Sequence, residues 1–278
     1  MTTIEATLRG AVGGDGDERT LTLDPLLQGL PDTAHGGSVL ALFDGLAGRR
    51  GAREVTSRYH RRVPLGVPLR LALTRDGAAL QCRVTDGGGA LLVDGRVGDA
   101  GAAPDEVAAP SADAVPLPVS RGCFACGIDN PLGLRARLGF DAETVAGVWA
   151  ARPPFRDGDG RLAPAALTTL LDETAFWLGA LATGESGMTT ELRVILLADA
   201  RADDPVIVAG ARAAVRPRPG DARYWDTRVS ARDPTGRLLA TAAITFVAVR
   251  GAARRLVAGL LGTNPPDVVH RVFPAYRA

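Results

Sequence analysis

Lysine is missing from this chain of 278 residues, and all 32 of its basic side chains are arginine. That absence excludes Schiff-base chemistry and any lysine general base. Cysteine is scarce: Cys82, Cys123 and Cys126 are too few for a disulfide framework. Cys123 and Cys126 have the spacing of half a closed zinc site, but no second cysteine pair follows, and His35, His60 and His270 stand at no ligand spacing. No metal is expected. The formal net charge is only +1, which argues against a nucleic-acid binder that works by neutralising phosphates. No apolar run approaches the roughly 20 residues that cross a bilayer. The start, Met1-Thr2-Thr3-Ile4-Glu5, lacks the basic-then-apolar order of a signal peptide. The expectation is a cytoplasmic protein with neither nucleic-acid nor membrane partners.

What is present reads as two similar halves. The length suits two domains of about 130 residues each, and a stretch of small residues and prolines divides them. The expected layout is a first domain over 1–103, a linker over 104–120, a second domain over 121–249 and a C-terminal helix and tail over 250–278. In the first half a strand at 20–23 leads to a helix at 37–49 and strands at 55–63, 69–75, 79–85 and 90–97. Asp76-Gly77 and Asp86-Gly87-Gly88-Gly89 supply turns between them. In the second half, strands at 134–140 and 144–150 precede a helix at 164–181, with Pro164 in the first turn where proline is tolerated. Strands at 189–197, 206–215, 224–233 and 238–249 follow. One apolar helix followed by antiparallel strands predicts an α+β fold in which each half wraps a sheet around a central helix. The stretch 250–261 reads as an amphipathic helix, a packing appendage with a solvated arginine face.

The two helices repeat a pattern with one difference. His35-Gly36-Gly37 opens the first, and Asp44 lies eight residues beyond Gly36; Ala163-Pro164-Ala165 opens the second, and Asp172 lies eight residues beyond Pro164. A glycine at a helix start leaves an orphan N–H aimed at whatever binds there, whereas proline has none to offer. If the copies face each other, one of the two sites is complete.

Three motifs carry a likeness beyond this. They are His35-Gly36-Gly37 with Asp44, then Cys123-Phe124-Ala125-Cys126-Gly127-Ile128-Asp129-Asn130-Pro131-Leu132-Gly133-Leu134, then Leu171-Asp172-Glu173-Thr174-Ala175-Phe176. With the repeated order of elements they resemble the hotdog-fold acyl-CoA thioesterases of the phenylacetate-pathway (PaaI-like) type, fused as a double hotdog. The second motif is similar to the Cys-x-x-Cys-Gly-x-x-Asn-Pro-x-Gly-Leu segment of many such domains. The resemblance implies that the glycine amide heading one helix faces the carboxylate of the other across a shared interface. Carried onto this chain, one composite site joins Gly36 with Asp172, and a degenerate one joins Asp44 with Pro164. Thr189 stands where the resemblance places a Ser or Thr that holds water or carboxylate, and Thr56 is its counterpart in the degenerate site. Gln28, eight residues before Gly36, takes the part of the family's polar residue, about one residue off in spacing. His35, Gly37, Glu173 and Thr168 complete the residues expected around the substrate.

The residue types suit thioester hydrolysis. A fixed N–H at the positive end of a helix stabilises the charge that develops on the carbonyl oxygen, and losing one such donor typically costs about 100- to 1000-fold. A carboxylate in an apolar groove can activate water or attack the carbonyl itself. Both routes stay open for Asp172. Thr168 and Ala175 flank it on one helix face and leave room for a substrate. Coenzyme A enters as part of the substrate and no separate cofactor is implied; an acyl carrier protein is the other carrier the resemblance allows, as is pairing of two chains. Arg61, Arg62, Arg193, Arg216 and Arg218 are candidates for the phosphates of coenzyme A. Two other classes compete: a non-catalytic hotdog that binds an acyl or aromatic ligand, and a biosynthetic hotdog that hydrates, dehydrates or cyclises. The segment around Asp129-Asn130-Pro131 echoes the hydratase branch, but Gly133 stands where that chemistry needs a histidine.

Overall fold

The computed structural model describes residues 2–102 and 113–277. The first unit runs α1 (Ile4–Gly10), β1 (Val12–Gly13), β2 (Glu18–Leu21), α2 (Gly36–Ala47), β3 (Arg53–Tyr59), β4 (Leu69–Asp76), β5 (Ala79–Thr85) and β6 (Leu91–Asp99). The second begins with β7 (Val115–Pro116), β8 (Gly139–Phe140), β9 (Thr144–Trp149) and α3 (Pro164–Thr183). It continues with β10 (Gly187–Leu196), β11 (Val206–Ala211), β12 (Arg216–Arg218), β13 (Asp221–Arg232) and β14 (Leu238–Ala248), then α4 (Ala253–Leu261) and α5 (Pro266–Val272). Among the described residues no helix is long and apolar enough to cross a membrane.

All the strands join one antiparallel sheet in the order β1-β2-β4-β5-β6-β3-β10-β14-β13-β11-β9-β8-β7, with β12 against β13. The units meet where β3 pairs with β10, from Arg53 opposite Leu196 to Arg58 opposite Glu191. Each unit's sheet wraps its own helix. Successive α2 residues from Gly37 to Asp44 are buried, as are those of α3 from Ala165 to Ala175, which is why both helices read as apolar nearly all round. The helices also touch each other. A Cβ at Gly37 would fall 2.6 Å from the carbonyl oxygen of Thr168 and from the Thr169 Cα, so glycine is what permits this approach. The result is the double hotdog.

Several expectations need correction. The linker segment 104–112 lies outside the described residues, while Val115–Pro116, assigned to the same linker, pairs with β8 and belongs to the sheet. The strand expected at 134–140 shrinks to Gly139–Phe140, because the amides of Leu134 and Ala136 bond instead to the carbonyls of Phe124 and Ala125, at 2.8 and 2.9 Å. Helices α1 and α5 had no counterpart in the sequence reading.

The Cys-x-x-Cys-Gly segment clips the second unit onto the first. Asn130 donates from Nδ2 to the carbonyls of Leu26 (2.7 Å) and Gly122 (3.0 Å), and its Oδ1 accepts from the amides of Leu132 and Gly133. The Phe124 amide donates to the Gln28 carbonyl at 2.6 Å. Both Leu26 and Gln28 belong to the loop ahead of α2, so this clip fixes the helix start against the second unit.

Candidate active site

The start of α2 is set by His35, whose extended backbone makes it the cap, and the helix ends at Gly48 in the left-handed conformation, φ 62°. Of its first two amides, that of Gly37 donates to Asp172 Oδ2 at 2.8 Å. Gly36, one residue earlier, has no acceptor for its N–H among the described residues and lines a cavity. A Cβ there would lie 2.7 Å from Asp172 Oδ2. The open amide and the carboxylate therefore sit side by side, one from each unit.

Asp172 is held at both oxygens. Thr189 donates to Oδ1 at 2.6 Å, from a point where β10 slips register against β14 between Thr189 and Glu191; such a bulge re-aims a side chain. His35 Nδ1 lies 3.2 Å from Oδ2. The Gly37 amide is also 3.2 Å from His35 Nδ1, but a protonated ring has no lone pair there, so both donors converge on the aspartate. Burial pulls the His35 pKa down, yet the Glu173 hydrogen bond and the charges of Asp172, Cys123 and Glu173 outweigh it, raising the value to about 9. At neutral pH His35 is an imidazolium between two acids.

Glu173 is the second acid. Its Oε2 stands 3.5 Å from His35 Nε2, and its Oε1 accepts from the Trp177 indole at 2.9 Å. Tyr59 donates to the Gly36 carbonyl at 2.7 Å and pins the first turn of α2; burial holds its phenol protonated, far above the ordinary range. Cys123 and Cys126 border the same space. The hydrogen bond from Cys126 lowers the Cys123 thiol against the effect of burial, and the converse raises Cys126.

Together these groups form the polar end of a cavity of about 290 Å³ whose other walls include Val63, Phe176, Trp177, Met188, Leu256 and Leu260. An apolar chamber with a few convergent polar groups is the usual form of a small-molecule site. Helix α4 thus helps to wall the cavity through Leu256 and Leu260, and Phe273 beyond it packs on Trp177 with ring centroids 6.4 Å apart. The C-terminal segment is more than the appendage expected.

Among the residues expected from sequence, the structure brings Gly36, His35, Asp172, Glu173 and Thr189 together around this cavity. Gly37, Thr168 and Gln28 do not line it. Gly37 spends its amide on Asp172, Thr168 donates to the Gly37 carbonyl at 2.8 Å, and the Gln28 side chain accepts from the Asp32 amide. Of the five arginines, Arg61 and Arg62 border the cavity. Arg193 pairs with Glu54, and Arg218 with Glu191 and Asp226. Arg216 and Arg218 belong to a separate depression with Glu191 and Asp226. Tyr59, Trp177 and the two cysteines carried no signal that tied them to this place, since folding alone brings them here.

The degenerate site is filled from within. Asp44 borders the same depression as Pro164, which lacks the donor, and it accepts from both Nε and a terminal nitrogen of Arg53, at 2.5 and 2.7 Å. Thr56 does not join it; its hydroxyl lies 3.4 Å from the Arg96 carbonyl on the sheet. Arg53 occupies the place that Thr189 holds beside Asp172.

No protein-family model and no curated protein sequence matches the chain. Solved structures do match across nearly its whole length. A protein with the hot dog fold from Alicyclobacillus acidocaldarius shares 14% identity at a TM-score of 0.59, covering 88% of this chain and 97% of its own. An acyl-CoA thioesterase II from Mycobacterium marinum shares 15% at 0.55, covering 89% and 98%. The dehydratase domain of RzxB from Pseudomonas fluorescens shares 19% at 0.53, covering 84% and 96%. These likenesses carry the fold, a double hotdog, which in other chains serves more than one chemistry.

Proposed function

We propose that this chain hydrolyses an acyl thioester at a single composite site between its two units, with the acyl group carried on coenzyme A or on an acyl carrier protein. The observation that carries the reading is the unpartnered Gly36 amide at the positive end of α2 beside the Asp172 carboxylate. The thioester carbonyl oxygen takes the Gly36 N–H, as charge on that oxygen gains most from a fixed donor in a water-poor cavity. Water held by Asp172 Oδ1 and Thr189 attacks the carbonyl carbon as Asp172 accepts its proton. The C–S bond then breaks, and that proton passes to the departing thiolate.

The water route suits the geometry better than direct attack by Asp172. Oδ2 already accepts two donors and Oδ1 one, so Oδ1 keeps a lone pair for a water proton while the carboxylate stays clamped. The alternative of dehydration needs a histidine nitrogen free to take a proton from the substrate, and both nitrogens of His35 face carboxylates. Arg61 and Arg62 at the cavity rim suit the phosphates of coenzyme A. The His35-Gly36-Gly37 and Cys-x-x-Cys-Gly motifs favour the PaaI-like branch of the fold.

Thiol release from a panel of straight-chain and aromatic acyl-CoAs tests the proposal. Asp172→Asn keeps the shape but loses the base, and its rate should drop by about 100-fold or more in a variant that still folds, as circular dichroism checks. Absence of release from every thioester, or an Asp172→Asn variant as fast as the parent, would refute hydrolysis at this site and favour a binding protein.

A further inference from the structure

We propose a divalent-metal site of the zinc class in the wall of this cavity, with His35 Nε2, Cys123 Sγ and Glu173 Oε2 as ligands. One ligand atom from each of the three residues lies within 4.8 Å of the others, and His35 Nε2 stands 3.5 Å from Glu173 Oε2. A tetrahedral ion about 2.0–2.3 Å from each ligand needs donors roughly 3.3–3.8 Å apart, so the cluster closes on an ion with small side-chain movements. All three residues are buried, and they come from three separate places: the cap of α2, the turn at 123–126, and α3.

The remaining atoms of each ligand are already engaged in the way metal sites require. His35 Nδ1 faces Asp172 Oδ2 at 3.2 Å, Glu173 Oε1 accepts from the Trp177 indole, and the Ala125 amide points at Cys123 Sγ from 3.3 Å. Such partners fix the tautomer and orientation of ligands. The turn is built for the purpose as well. The Gly127 amide donates to the Cys123 carbonyl at 2.9 Å, and a Cβ at Gly127 would stand 2.2 Å from that oxygen, so glycine alone closes it this tightly. Cys126 lines the same cavity. One nitrogen, one sulfur and one oxygen donor select a borderline-soft ion such as Zn²⁺ over Mg²⁺ or Ca²⁺.

The ion would displace the proton from His35 Nε2 and from the Cys123 thiol, both released to solvent, and would then act as a clamp, tying the cap of α2 to α3 and aiming the remaining His35 Nδ1–H at Asp172. This inference is independent of hydrolysis, for neither Gly36 nor Asp172 is a ligand. The test uses the full chain, kept reduced, stripped with a chelator and titrated with Co²⁺. One equivalent should bind, with the intense visible bands of tetrahedral cobalt and a thiolate-to-metal charge-transfer band, both abolished by Zn²⁺. Cys123→Ser should remove the charge-transfer band and Glu173→Gln should weaken uptake, whereas Cys82→Ala, in β5, should change neither. Failure of the parent to show the charge-transfer band, or its persistence in Cys123→Ser, overturns the site. Because the first of those outcomes needs no variant, a misfolded substitution does not shelter the proposal.

Discussion

Two adjacent glycines do different work at the start of α2. Gly37 has spent its amide on Asp172, and a Cβ there would meet backbone atoms of Thr168 and Thr169 at 2.6 Å. Gly36 keeps its amide, and a Cβ there would meet only the end of the Asp172 side chain, at 2.7 Å. Backbone cannot move aside cheaply, whereas a carboxylate can rotate. Gly37→Ala should therefore cost about 1–3 kcal/mol of stability by forcing the two helices apart. Gly36→Ala should leave the melting temperature closer to the parent and act instead on turnover, through a displaced Asp172. Paired thermal melts and thiol-release rates check this; equal losses of stability in the two variants would contradict it. Gly36→Pro would remove the amide but would carry the same Cβ into Asp172, so it does not isolate the donor.

The correspondence between elements explains which parts of the site the sequence made legible. The eight-residue interval from helix start to aspartate survives in both units because it lies within the first helical turns, where periodicity alone fixes position. The strand partner does not, because α3 has 20 residues and α2 has 12. From Asp172 to Thr189 is seventeen residues and from Asp44 to Arg53 is nine, a difference equal to the eight extra residues of α3. Counting from strand starts led to Thr56; counting from helix ends leads to Arg53. The extra turns carry Phe176 and Trp177 into the cavity, which makes α3 the element that shapes its apolar end. Helix α4 was visible as an amphipathic helix, yet nothing in its pattern could say what its apolar face would cover. It covers the cavity, and Leu256 stands half-buried at the rim. Leu256→Trp should shift preference toward smaller acyl groups by filling that end, with kcat/KM falling for long chains more than for short ones. A uniform change across the acyl panel would show that α4 does not bound the substrate.

At the scale of the whole molecule, the units are joined through sheet, helix and loop. β3 and β10 share one ladder, α2 and α3 meet at Gly37, and the Asn130 side chain bonds across to Leu26. Burial runs through as one cluster from Ile4 to Phe273. Separate unfolding of either unit would expose the β3 or β10 edge and strip Asp172 of its Gly37 donor, so a single cooperative transition is expected. The chain carries its own probes for this. Trp149, Trp177 and Trp225 all belong to the second unit, whereas Cys82 is fully buried in the first, opposite Leu73. As urea rises, the tryptophan emission should shift over the same concentration range in which the Cys82 peptide becomes open to alkylation, read by mass spectrometry. The midpoints should coincide, because each reports the same loss of buried surface. Alkylation of Cys82 at clearly lower urea would show that the first unit opens alone, and with it that Gly36 can leave Asp172 without unfolding the rest.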